Sequence, residues 1–270
     1  MEKIAMRLRK ASVPIALLVM LTLQPWVGGA PPIAQQPPPF WVVRFVDIEP
    51  QKAEQFERAL RERVQAMRRL KLGPEWTWYA TRRSNFTYTF AHPMKSLSEI
   101  DALWKRIYQP EDVLNESTIQ RLLSRERAAI RRHHSELIQL LESWSYHPKA
   151  PAAQTPPRFQ HVVLEWVRPD RLPQYERVIH RFRQALAKIA HPFGYDAYRI
   201  IVGDGSFAYV WMAPSAQQYY AANHLDEVLR RALGQQDADR LLQQWRWCLW
   251  RRESYDGTPR PDLSYFPSPR

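Results

Sequence analysis

Chemistry in this chain could be done by polar residues set into apolar strands. His161 and Glu165 flank Val163 in the run Phe159–Val167, two steps to either side and so on one face of an extended strand. Arg44 holds the matching face of an earlier run, Phe40–Ile48. If that face lines a closed interior, Arg44, His161 and Glu165 form a buried polar cluster. Buried ionisable groups must pair or shift their pKa values, which suits acid–base work. The bland reading is a structural ion pair or a wet edge. A second candidate is aromatic: Tyr88 and Tyr209 align between two similar segments, each flanked at two residues by Phe86, Phe90, Phe207 and Trp211. Tyr88, Tyr209 and Trp211 then offer a wall for a small apolar ligand, or simply a packed core.

The remaining reactive residues point to less. A heme needs an axial ligand, most often histidine. His180 falls off the core face of its helix, and His133 and His134 sit in an arginine-rich stretch read as a solvated helix. His92, His147 and His191 each precede proline, which favours extended or turn backbone. No metal site is expected and no cofactor is favoured, with heme kept as the alternative. Cys248 is the single cysteine, so an intramolecular disulfide and multi-cysteine metal centres are excluded. It reads as a buried, inert thiol in a strand Trp245–Trp250. Neither GxGxxG, a P-loop, HExxH nor GxSxG occurs.

The elements that must position these residues come in two copies. Phe40–Pro50 followed by Gln55-Phe-Glu-Arg58 matches Phe159–Pro169 followed by Gln174-Tyr-Glu-Arg177, at an offset of 119. Phe86-x-Tyr-x-Phe-x-x-Pro93 matches Phe207-x-Tyr-x-Trp-x-x-Pro214 at 121, and Ser145-Tyr146 is paired with Ser254-Tyr255. Each copy opens with a β-branched, aromatic strand and continues into an amphipathic helix (Phe56, Leu60, Val64, Met67 in the first). A hairpin, a second helical region and a last strand follow, giving the order βαββαβ. Extra helix is expected between Glu111 and Leu141. The first strand is apolar on both faces, so both faces need cover. The expected fold class is α+β: two ferredoxin-like βαββαβ modules packed sheet to sheet as a pseudo-two-fold fused α/β barrel. The expected boundaries are a signal peptide at 1–30, a Pro-rich tether at 31–39, module one at 40–148, a linker at 149–158, module two at 159–256 and an extended tail at 257–270.

A strand, a proline and a helix carrying [FY]-E-R, repeated in tandem, resemble the dimeric α/β-barrel superfamily over roughly 40–148 and 158–256. Its relatives include antibiotic-biosynthesis monooxygenase-like and NIPSNAP-like proteins. The resemblance implies a cleft between sheet and helices, or a heme pocket as in the chlorite-dismutase-like branch. No catalytic motif of either kind maps onto this chain.

Composition sets the remaining expectations. With 45% apolar and 24% charged residues the chain is globular. Its net charge is +12, but arginines interleave with glutamates as on solvated helix faces, so nucleic acid is not an expected partner. Lys3, Arg7, Arg9 and Lys10, then the apolar run Val13–Leu23, then small residues to Ala30, match an export signal. The run is too short to span a bilayer, so no membrane span remains after cleavage. These features lead to a secreted or periplasmic protein, a non-catalytic binding or structural component of the cell envelope. The alternative is a cofactor-independent monooxygenase-like enzyme, or a heme-binding protein, acting on a small apolar molecule.

Overall fold

The structure is a computed structural model and describes residues 38–113, 116–148 and 156–267. The expected signal peptide, and most of the expected tether and linker, lie outside the described residues. Half one contains β1 (Phe40–Ile48), α1 (Ala53–Arg69), β2 (Tyr79–Arg83), β3 (Thr87–Met94), α2 (Ile100–Tyr108), α3 (Pro110–Val113), α4 (Ser117–Arg127) and β4 (Ile130–Leu140). Half two contains β5 (Phe159–Val167), α5 (Leu172–Lys188), β6 (Tyr195–Val202), β7 (Phe207–Ala213), α6 (Ala216–Ala222), α7 (Leu225–Leu233), α8 (Gln235–Cys248) and β8 (Leu249–Pro259). No helix among the described residues is long and apolar enough to cross a membrane.

Two ferredoxin-like modules stacked sheet against sheet are not what the chain builds. It forms one closed antiparallel barrel of eight strands, in the order β1-β3-β2-β8-β5-β7-β6-β4. The cause lies in the strand edges. A free edge leaves backbone donors and acceptors unpaired, and closure removes it. One seam pairs Thr81–Arg83 of β2 with Gly257–Pro259 of β8, and the other pairs Leu137–Leu140 of β4 with Tyr198–Val202 of β6. At the first seam Gly257 admits the close approach, since a Cβ there would lie 2.5 Å from Thr81 Cγ2.

The barrel sorts the side chains of β1 by face. Trp41 and Val43 point inward, packing with Ile138, Leu164, Tyr198, Ile200, Ala208 and Val210 from both halves. Val46 faces outward into a cluster with Phe56, Leu60, Tyr88 and Ile119, under α1 and α4. Arg44, His161 and Glu165 belong to this helix-facing set, so these three lie beneath the helices and not inside the barrel.

Strand register corrects the internal alignment. Arg44 stands opposite Phe90 and Val163 opposite Tyr209, so Phe90 and Tyr209 are equivalent, 119 residues apart. Tyr88 is therefore the counterpart of Phe207, not of Tyr209. His92, opposite Val42, is the counterpart of Trp211, opposite His161. Ser254 faces Val163 as Ser135 faces Arg44. The true partner of Ser145-Tyr146 is thus Ser264-Tyr265. Ser145 Oγ accepts the Ala197 N–H at 3.0 Å and Ser264 Oγ accepts the Ala80 N–H at 2.9 Å. Tyr146 donates to the His191 carbonyl and Tyr265 to the Leu72 carbonyl. Each half closes the other.

Two further expectations fail. The stretch Glu111–Leu141 is helical only to Arg127, and His133 and His134 lie on strand β4. Trp245–Cys248 is the end of α8, and the strand begins at Leu249. Leu241, Leu242, Trp245 and Cys248 are buried at helical spacing, and Cys248 is fully buried.

Candidate functional site

A cavity of about 370 Å3 opens in half one, between the outer face of β1 and β3 and the helices α1, α2 and α4. Its wall is aromatic, from Trp76, Trp78, Phe90 and Tyr108, and three cationic or basic side chains enter it: Arg44 from β1, His92 from β3 and Arg106 from α2. Arg63, Glu75, Glu126 and His133 also line it, with three exposed arginines, Arg127, Arg131 and Arg132, towards the surface. The size is near the lower end for small-molecule sites, about 300–1,000 Å3.

The charges are unequally satisfied. Arg63 forks onto Glu126 at 2.6 and 3.0 Å, while its guanidinium lies 4.7 Å from the Trp78 ring centre. Arg127 pairs with Glu111, and Arg132 with Asp47. Arg44 and Arg106 each bury an Nε that has no hydrogen-bond partner. Neither guanidinium forms an ion pair with any described residue. Arg44 lies 5.5 Å from the centre of the Tyr108 ring. Burial, together with Arg63 and Arg127, pulls Arg44 below the usual guanidinium pKa. Burial likewise lowers Arg106.

His92 stands among these cations. Burial first, then Arg44, Arg63 and Arg106, push its pKa down to about 3, against an opposing hydrogen bond to the Thr77 backbone. It is a neutral imidazole at physiological pH and can accept a proton.

Half two fills the equivalent positions with apolar bulk. Where half one carries Arg44, Arg63 and His92, half two carries Val163, Phe182 and Trp211, all buried. Trp211 packs 4.7 Å from Tyr195, with His191 and Tyr219 also against it. Beneath it, Glu165 accepts hydrogen bonds from Tyr175 and, at 3.2 Å, from Trp245 Nε1. Arg252 approaches Glu165 at 3.5 Å, and Tyr209 hydroxyl meets that of Tyr175 at 2.6 Å. Burial raises the pKa of Glu165 against these hydrogen bonds.

The sequence candidates are therefore dispersed. Arg44 lines the cavity. Glu165 is sealed in the core of half two. His161 bonds Asp256 through Nδ1 at 2.7 Å, and Tyr220 donates to the other Asp256 oxygen. No hydrogen bond or ion pair among the described residues joins Arg44 to His161 or Glu165. Tyr88 is fully buried with its hydroxyl on Glu57 at 2.7 Å. Tyr209 and Trp211 are in the other half, so the three aromatics share no pocket. His92 and Arg106 were passed over in the sequence. A comparison of the copies at a constant offset of 119 exposes His92, because it stands against a tryptophan.

No family model matches this chain, and no curated protein matches it in sequence. Solved structures do share its fold. A proposed monooxygenase from Lactobacillus acidophilus superposes with a TM-score of 0.53 at 6% identity, over 86% of this chain and 97% of the other. An anthrone oxidase-like protein gives 0.51 at 9%, over 82% and 91%. Chlorite dismutase from Candidatus Nitrospira defluvii gives 0.50 at 9%, over 84% and 93%. The barrel is thus of the monooxygenase-like and chlorite dismutase-like kind.

The chlorite dismutase likeness raises heme, and the cleft of half two does not fit it. That cleft is filled by Phe182, Tyr209 and Trp211. Among the described residues no three His, Cys, Asp or Glu side chains gather to hold a metal ion.

Proposed function

We propose that this chain is a small-molecule enzyme of the cofactor-independent monooxygenase type, with its site in the half-one cavity. The observation that carries the reading is His92, a neutral imidazole facing an aromatic-walled space and surrounded by arginines. The likeness in fold to monooxygenase-like and anthrone oxidase-like proteins supports it. The reading replaces a non-catalytic envelope role, which has no such support.

In this reaction His92 removes a proton from an activated CH2 group of the substrate. The carbanion forms within the field of Arg44 and Arg106, which favours negative charge. Dioxygen, the second substrate, adds to the carbon, and the proton returns to give a hydroperoxide. Loss of water then leaves a carbonyl, so that CH2 and O2 become C=O and H2O. The substrate supplies the electrons, and the protein needs only a base, a cationic environment and a dry cavity.

Oxygen uptake with anthrone, and with a ring-carboxylated anthrone, tests the proposal. One O2 should be consumed per substrate, with one labelled oxygen in the product. His92→Gln should lower the rate by about 10^2–10^4-fold. Uptake no faster than without protein, or an unchanged rate in the variant, overturns it.

A further inference from the structure

The unsatisfied arginines say what enters this cavity. A buried donor left without a partner destabilises the fold, and more so when charged. Folded proteins seldom leave such a group unless a ligand, ion or water meets it. Here there are two, Arg44 Nε and Arg106 Nε, and both side chains line the same space. The acids nearby form no ion pair with them, although Glu75 acts on Arg106 and Glu126 on Arg44 through space. Glu126 is held in a fork by Arg63, and Glu75 is exposed at the edge of the lining. The uncompensated charge in the cavity is therefore positive. It is also particular to the half that has a cavity, since Val163 replaces Arg44 in half two.

We infer that the substrate enters as a small planar aromatic carboxylate, its anionic group held by Arg44 and Arg106 and its ring against Trp76, Trp78, Phe90 and Tyr108. This rests on the reading of the half-one cavity as the site. A guanidinium presents a planar fork that matches the two oxygens of a carboxylate. The aromatic wall supplies flat apolar area for the ring. The exposed arginines of the lining attract an anion from solution. An uncharged ligand would leave both guanidinium groups in the cavity without a counter-charge.

The test is binding alone, by titration calorimetry on the full chain, with 1-naphthoate and its neutral analogue 1-naphthamide as probes. Naphthoate should bind at least tenfold more tightly. Arg44→Gln and Arg106→Gln should each weaken naphthoate about tenfold or more and leave naphthamide within about twofold. Equal affinities for the two probes, or no binding of naphthoate, overturn the inference, as does unchanged naphthoate affinity in both variants. If a variant fails to fold, the wild-type preference decides, together with the His92 imidazole resonances. Their titration should move to higher pH on adding naphthoate and not on adding naphthamide. Selective naphthoate binding without oxygen uptake would sink the oxygenase proposal and keep this one. Uptake from neutral anthrone with no preference for the anion would do the reverse.

Discussion

His92 and Trp211 occupy the same place in the two halves of the barrel, opposite Val42 and His161 on the neighbouring strand. The indole fills its cleft, and the imidazole leaves one open. A single substitution should therefore convert one arrangement into the other. His92→Trp is expected to close the half-one cavity and abolish naphthoate binding while retaining the fold. Calorimetry beside a circular dichroism spectrum checks both.

The acid dependence of His92 follows from its displaced pKa. Its native value, about 3, lies below the ordinary 6.5, so the folded state resists taking the proton. The resulting destabilisation is absent above pH 6.5, grows as the pH falls below it and is complete near pH 3. A base of this kind remains unprotonated through the neutral range, so oxygen uptake should show no acid limb near pH 6.5. A bound carboxylate should raise the His92 pKa, because a nearby negative charge favours the imidazolium. A pH titration of the imidazole resonances, with and without naphthoate, measures the shift and its sign.

Glu57 ties α1 to the last described segment of the chain. Arg260 grips its two oxygens at 2.7 and 2.8 Å, and Tyr88 and Arg61 add further bonds. Arg260 above all, then Tyr88, hold the carboxyl near pKa 2, below its usual 4.5, despite the opposing effect of burial. The charged form is favoured in the native state, so the gain is complete above pH 4.5 and is lost as pH falls towards 2. Glu57→Gln should cost about 2 kcal/mol at pH 7 and flatten the stability curve between those limits. Urea unfolding at a series of pH values reads both.

Glu165 has the opposite sign. Burial raises its pKa, so the native state prefers the protonated acid. Its contribution is greatest below the unfolded value and declines as pH rises through the folded one. Glu165→Gln should therefore gain on the wild type as the pH rises above the ordinary carboxyl value of 4.5, by on the order of 1 kcal/mol. Parallel thermal melts across that range provide the comparison.

The reciprocal closure predicts matched losses. Ser145→Ala and Ser264→Ala should each cost about 1–3 kcal/mol, because each strands a backbone N–H, of Ala197 or Ala80, without its acceptor. The two costs should add, since the sites lie in different halves. Denaturant unfolding of the single and double variants settles the values.

Much of this architecture is written in the residues. The duplication is legible at β1 and β5, where apolar, β-branched runs lead through proline to helices with matched spacing. Alignment of the hairpins slips because β-strands have a period of two. Tyr-x-Phe against Tyr-x-Trp looks correct at an offset of 121 and keeps the same face, yet assigns every residue the wrong partner. Strand β4 hides because Arg131, Arg132, His133 and His134 are exposed and carry no apolar alternation. The end of α8 hides because three tryptophans suggest a strand. Arg44 was visible as a charge in an apolar run, whereas Arg106 looks like any other arginine on a helix and is singled out only by tertiary burial.

The crossing of the closing segments also bears on how the protein is made. Trp78 and Ala80 wait for Leu263, Ser264 and Tyr265. A ribosome must therefore reach Tyr265 before the first-made half can be sealed, and until then the indole of Trp78 and an unclosed strand edge remain for a chaperone to hold.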